Sequence, residues 1–269
     1  MITVSSAHVE GRPSTAQRVR LIVFRVLATL AGLFFLVAVV TMASAPWVLL
    51  QPGDDQHAGL NRWFPTVAGS VDAVAAGVWV ALVHRPRRTL LVVEMSMAVV
   101  VAGAIILPFQ PSFAAILAVA IVPLIVYPYW GDVRRFRSWW AGVPRTPLIL
   151  AALSAVALLV TAALALPRQV GRVDPAGWWS DYAEHATVLA LAGVLAASCG
   201  PGWRILRSLC SAVWLYLGLV SALVLPHYTG SWGRIGGAIA FLVGVGFAVA
   251  VARSRAPNAG LARPVPHRT

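Results

Sequence analysis

PTVAGSVDAVAAGVWVALV (65–83), HRPRR (84–88) and TLLVVEMSMAVVVAGAIIL (89–107) decide how this chain folds: two apolar runs of nineteen residues flank an arginine cluster. A helix of about 17 to 25 residues crosses a bilayer, so each run is long enough to span. Each contains a single acid, Asp72 or Glu94. Further runs of this kind lie at 21–44, 112–129, 147–166, 181–199, 206–225 and 232–252. The pattern predicts eight transmembrane helices, an all-α polytopic integral membrane protein. Alternating-polarity strands of the barrel type are absent from the sequence, and helices and closed barrels are the two structures that satisfy every backbone group in hydrocarbon.

Composition agrees. Hydrophobic residues make up 59% of the 269 and charged residues 11%, with a mean hydropathy of +0.79, whereas soluble domains carry roughly a quarter charged residues. The first apolar run follows Arg18 and Arg20 and ends at Ala43, Ser44 and Ala45, a small-residue pattern like a processing site. A signal peptide needs an apolar region of only about 7 to 15 residues, so the longer run here reads as an uncleaved first helix.

The arginines give the orientation. Arg12, Arg18, Arg20 and Arg25 begin helix 1, Arg85, Arg87 and Arg88 join helices 2 and 3, and Arg134, Arg135, Arg137 and Arg145 join 4 and 5. Arg204 and Arg207 join 6 and 7, and Arg253, Arg255, Arg263 and Arg268 follow helix 8. The alternate connections hold only Arg62, Arg168, Arg172 and Arg234, together with Asp54, Asp55, Asp174 and Asp181. Cytoplasmic loops concentrate arginine and lysine, which predicts a bacterial plasma-membrane protein with both termini cytoplasmic. Trp47, Trp63, Trp178, Trp179 and Trp232 then mark the outer interface, and Trp130, Trp139, Trp140 and Trp203 the inner one.

A net charge of +12 raises nucleic acid or anionic lipid as partners. The arginines are dispersed over five segments, so no nucleic acid is expected and the lipid bilayer is the partner. The cluster Arg134, Arg135 and Arg137 beside Trp139 and Trp140 is the candidate anionic-lipid site, because guanidinium groups fork onto phosphate oxygens.

A repeat of about 118 residues pairs Leu107–Pro108 with Leu225–Pro226, and Trp63–Phe64 matches Trp178–Trp179 at the helix starts. Four helices per unit is an even number, so two tandem units would share one orientation. The predicted organisation is a polar cytoplasmic tail (1–20), a four-helix unit (21–129), an arginine-rich linker (130–146), a second unit (147–252) and a disordered cytoplasmic tail (253–269). Gly69, Ala73, Gly77 and Ala81 form a small-residue stripe on helix 2, and Gly236, Ala240, Gly244 and Ala248 form another on helix 8. Such stripes let helices approach closely, inside the bundle or between subunits of an oligomer.

Ionisable groups within a span are costly, which makes Asp72 and Glu94 the candidate intramembrane polar site. Asp72 is expected to face the bundle, and Glu94 to reach Arg87 or Arg88. Asp181, Glu184 and His185 open helix 6, His227 follows helix 7, and His57 lies in the first outer loop. Imidazole with carboxylate suits zinc, and two histidines could flank a haem. The rival reading is solvated interfacial residues with Asp181 as a helix cap. HExxH and paired-cysteine motifs are absent, so no cofactor is expected, with zinc or haem as the alternative. The Gly-x-Ser-x-Gly elbow, phosphate loop and dinucleotide fingerprint are also absent.

AEHATVLALAG (183–193), GPGWR (200–204) and LVLPHYTGSWG (223–233) resemble uncharacterised multi-pass membrane proteins of actinobacterial type. The resemblance implies no activity. The expected role is a non-enzymatic accessory or structural subunit, or a small carrier using Asp72. The alternative is a membrane enzyme or redox protein with its metal or haem at Glu184, His185 and His227.

Overall fold

A computed structural model describes residues 14–47, 60–133, 143–171, 177–227 and 230–253. These contain eight helices of twelve residues or more: α1 (Thr15–Ala43), α2 (Leu60–His84), α3 (Thr89–Ile106), α4 (Ala114–Ile125), α5 (Arg145–Gly171), α6 (Trp178–Ala197), α7 (Trp203–Leu219) and α8 (Gly233–Arg253). A 3-10 turn at Pro111–Phe113 leads into α4, a one-turn helix at Trp130–Val133 follows it, and a π-helical turn at Val220–Val224 extends α7. No strand occurs among the described residues.

Six of the eight are long and apolar enough to cross a membrane: α1, α2, α3, α5, α8, and α7 with its π turn. The other two fall short for different reasons. With its 3-10 lead, α4 is apolar but covers only Pro111–Ile125, and it ends just after Pro123, whose ring nitrogen cannot donate. Helix α6 has twenty residues, but its first turns carry Asp181, Glu184 and His185.

Helix α1 begins at Thr15, earlier than the predicted 21, because Ser14 caps it: its hydroxyl accepts from the Gln17 amide at 3.2 Å. Only the stripe Phe24, Ala28, Ala31, Gly32 and Phe35 is buried. Leu30, Val37 and Val40 stand exposed on the other face, a surface that suits hydrocarbon.

The helices pack as two rings. In the first, α1 packs on α2, α2 on α3, α3 on α4 and α4 back on α1; in the second, α5 packs on α6, α6 on α7, α7 on α8 and α8 back on α5. The rings meet through their middle helices, with α2 against α7, α3 against α6, and α2 against α6. Thus α6 has neighbours on all sides, and fourteen of its twenty residues are buried.

One end of the bundle is tied by arginines and a tyrosine. Arg20 donates to the carbonyls of Val126 (3.1 Å) and Ile125 (3.4 Å), at the last turn of α4. Buried Tyr127 donates to the Pro86 carbonyl at 2.7 Å and meets Phe24 edge-on. Tyr127→Phe removes that hydrogen bond and strands a carbonyl, so its thermal unfolding in detergent is expected to reveal a loss of about 1 to 2 kcal/mol. An unchanged unfolding temperature would show the α4 end to be held by apolar contact alone.

The opposite end is closed by aromatic rings. Trp232 meets Trp63 at 5.2 Å and stacks on Trp214 at 5.6 Å, while Phe64 stacks on Tyr182 at 5.0 Å and meets Trp179 at 5.2 Å. Trp63 and Trp179 are therefore buried in the protein, whereas they were expected to line a lipid interface. Their indoles join α2 to α6, α7 and α8, a use of aromatic area that outweighs headgroup anchoring. Trp47 is exposed as an interfacial residue would be.

The helix 2 stripe serves as a seam within the chain, and the helix 8 stripe does so at Ala240 and Gly244. A Cβ on Gly69 would lie 2.5 Å from the Ala43 amide nitrogen, and one on Gly77 the same distance from a Leu209 methyl group.

Candidate functional site

The first ring lines a partly open cavity of about 370 Å³, walled by α1, α2, α3, α4 and the first three turns of α6. It exists because its walls carry small side chains: Ala38, Ala68, Ala75, Ala98, Ala102 and Ala120 all face it. The α3 wall runs through 94, 95, 98, 99, 102 and 106, a helical spacing of three to four that places Glu94 on the same face as the alanines. That periodicity was available in the sequence and would have marked the lining. The rest of the wall is mostly apolar, with Phe34, Phe35, Phe64, Phe113, Trp178 and Tyr182 supplying ring faces and edges.

Five ionisable groups line the cavity: Asp72, Glu94, Asp181, Glu184 and His185. Asp72 is twelve residues from the His84 end of α2, and His185 twelve from the Ala197 end of α6. At 1.5 Å per residue each sits about 18 Å along its own helix from that end, which is halfway along α2 for Asp72 and two turns inside the start of α6 for His185. They are close enough to interact electrostatically, as are Asp72 and Glu184. Glu94, five residues into α3, lies about 10 Å nearer the arginine-rich end than Asp72.

His185 is held by its own helix. Its Nδ1 lies 2.5 Å from the Asp181 carbonyl and 3.0 Å from Glu184 Oε2. A backbone carbonyl only accepts, so the Asp181 contact favours the tautomer with its proton on Nδ1. The α6 backbone is fixed at both ends: Gln169 Oε1 accepts from the Ser180 amide at 3.2 Å, and Arg207 caps the far end. Gly177, with φ 67°, is the residue that lets the chain turn into α6.

Several expectations change here. Glu184 is 4% exposed and His185 is half-buried, so these are not solvated interfacial residues. Counting from the helix start suggested a shallow position, but α6 is the bundle's innermost helix. Asp181 is not the N-cap, a position held by Gly177; it lies one turn inside. Glu94 makes no ion pair with Arg87 or Arg88. Arg87 lies over the Tyr129 ring at 5.1 Å instead, while Glu94 is 2% exposed and its Oε2 has no hydrogen-bond partner.

His227 is exposed and does not line the cavity. His57 and the cluster Arg134, Arg135 and Arg137 lie outside the described residues, as does the tail that follows Arg253. Among the described residues no three His, Cys, Asp or Glu side chains are grouped so as to hold a metal ion. Cys199 is exposed and Cys210 buried, both as free thiols.

Compared with protein-family models, curated proteins and solved structures, the chain gives no match. Any functional reading therefore has to come from the cavity.

Proposed function

We propose that this chain is a small membrane carrier of the bacterial plasma membrane, with eight spans, cytoplasmic termini and its cargo site in the Asp72 cavity. The observation that carries the reading is that Asp72, Glu184, His185 and Glu94 all line one largely apolar cavity. Buried ionisable groups in spans are expensive and mark ion, proton or substrate paths. A histidine beside carboxylates is suited to passing protons.

Eight spans are supported by where α4 and α6 begin and end. The α4 segment runs from Phe113, on the cavity wall, to Val126–Tyr127, tied to Arg20 and Pro86 at the arginine-rich end. The α6 segment runs from the aromatic cluster to the Arg207 cap. Shielded by α2, α3, α5 and α7, α6 needs no lipid-grade hydropathy to cross. The exchange of partners between rings, α2 with α7 and α3 with α6, supports a reading as two parallel four-helix units related by an axis along the membrane normal. Arginine sorting supports the cytoplasmic assignment of both termini.

Access to the cavity tests the carrier reading. In a background where Cys199→Ser and Cys210→Ser remove the native thiols, Ala98→Cys introduces a single thiol on the cavity wall. A membrane-impermeant thiol reagent is expected to modify it when added to either face of sealed vesicles, because a carrier opens its site to both sides in turn. Modification from one face only would overturn the carrier reading.

A further inference from the structure

We infer that the cavity recognises an amphiphilic organic cation, an inference that rests on the cavity being a binding site and names what it would bind. Every ionisable residue on its wall except His185 is an acid: Asp72, Glu94, Asp181 and Glu184. No arginine lines it, in a chain with 21 basic residues. An anion would be placed against four carboxyl groups. A neutral lipid would leave Glu94 as it is now, 2% exposed with Oε2 unpartnered, and a buried acceptor without a donor is costly.

A cation answers both problems, and the aromatic wall adds to the fit. Phe34, Phe35, Phe64, Phe113, Trp178 and Tyr182 surround the same space, and the faces of such rings attract an organic cation, most strongly where water is excluded. An inorganic ion fits less well, since no three carboxylate or imidazole groups among the described residues are grouped to coordinate one. The charge must therefore be diffuse and carried by an apolar body. A volume of about 370 Å³ falls within the range of pockets for drug-sized ligands, about 300 to 1,000 Å³.

Aryl probes of opposite and zero charge provide the test. Tetraphenylphosphonium, tetraphenylborate and neutral triphenylphosphine oxide are titrated calorimetrically into the purified full chain in detergent. The cation is expected to bind saturably, and the other two are not. Ala98→Phe, which fills the cavity without touching charge, is expected to abolish the saturable component. Glu94→Gln and Asp72→Asn should each weaken cation binding by about tenfold or more, as loss of a buried charge partner does; either variant suffices if the other fails to fold. Saturable binding of the borate or the phosphine oxide in place of the cation would overturn the cation assignment and leave the cavity a binding site. Absence of saturable binding by all three would overturn both readings.

Discussion

Gly237→Leu is expected to prevent the chain from accumulating as a folded, monodisperse protein. Helices α7 and α8 meet backbone to backbone at this position. A Cβ on Gly237 would stand 2.6 Å from the Ala222 amide nitrogen and 2.7 Å from the Gly218 carbonyl oxygen. Those are main-chain atoms, so no side chain can swing away; the helices themselves must separate. Overpacking a core commonly costs about 1 to 3 kcal/mol, and here the cost lies above that range because the whole seam opens, including Gly244 against Leu215. Ser211, which donates to the Gly244 carbonyl at 2.8 Å, would lose its acceptor as well. Ala248→Leu is the matched control. It is exposed, and its effect should stay within about 0.5 kcal/mol. Yield and thermal unfolding in detergent read both variants, and a Gly237→Leu protein as stable as Ala248→Leu would refute the seam.

The contrast between those two residues shows what was legible in the sequence. Small residues four apart on helix 8 signalled a close approach, and α8 does make one. The register is different: the buried line is Gly237, Ala240, Gly244, Phe247 and Val251, a three-four alternation. A strict four-residue spacing of Gly236, Ala240, Gly244 and Ala248 drifts around a helix of 3.6 residues per turn, so its last member, Ala248, turns away from α7. Spacing alone could identify the face but not its edge.

Helix existence was legible for the same physical reason that register was not. Hydrocarbon imposes one local rule on every residue of a span, whereas depth and neighbours depend on packing. Asp72 could be read as bundle-facing because its own helix carries the evidence. Glu184 and His185 could not be read as sharing its cavity, since that depends on how far α6 is drawn into the bundle. The unpartnered Oε2 of Glu94 was hidden likewise, because Arg87 and Arg88 were near in sequence but one of them is taken by Tyr129.

Arg207→Ala is expected to destabilise the protein by about 2 to 4 kcal/mol, the cost of leaving two buried carbonyls without a donor, although the arginine pattern suggested no more than a topological charge. Helix α7 starts at Trp203, so Arg207 falls within its second turn and is only 2% exposed. Its Nε donates to the Ala196 carbonyl at 3.0 Å and Nη2 to the Ala197 carbonyl at 3.4 Å, while the guanidinium lies 4.2 Å from the Trp203 ring centroid. The last four carbonyls of any helix lack intrahelical partners, and a cation at that end also meets the negative pole of the helix. One guanidinium thus satisfies the buried terminus of α6, the helix that carries Glu184 and His185. Arg20 does the same for α4, so the charges that sort the loops also finish the helices that end there. Arg207→Lys keeps the charge but not the fork, and should recover less than half of the loss. Thermal unfolding of the three proteins in one detergent separates the roles. If alanine and lysine variants both unfold with the parent, Arg207 serves topology only; if lysine restores full stability, the charge matters and the two-carbonyl geometry does not.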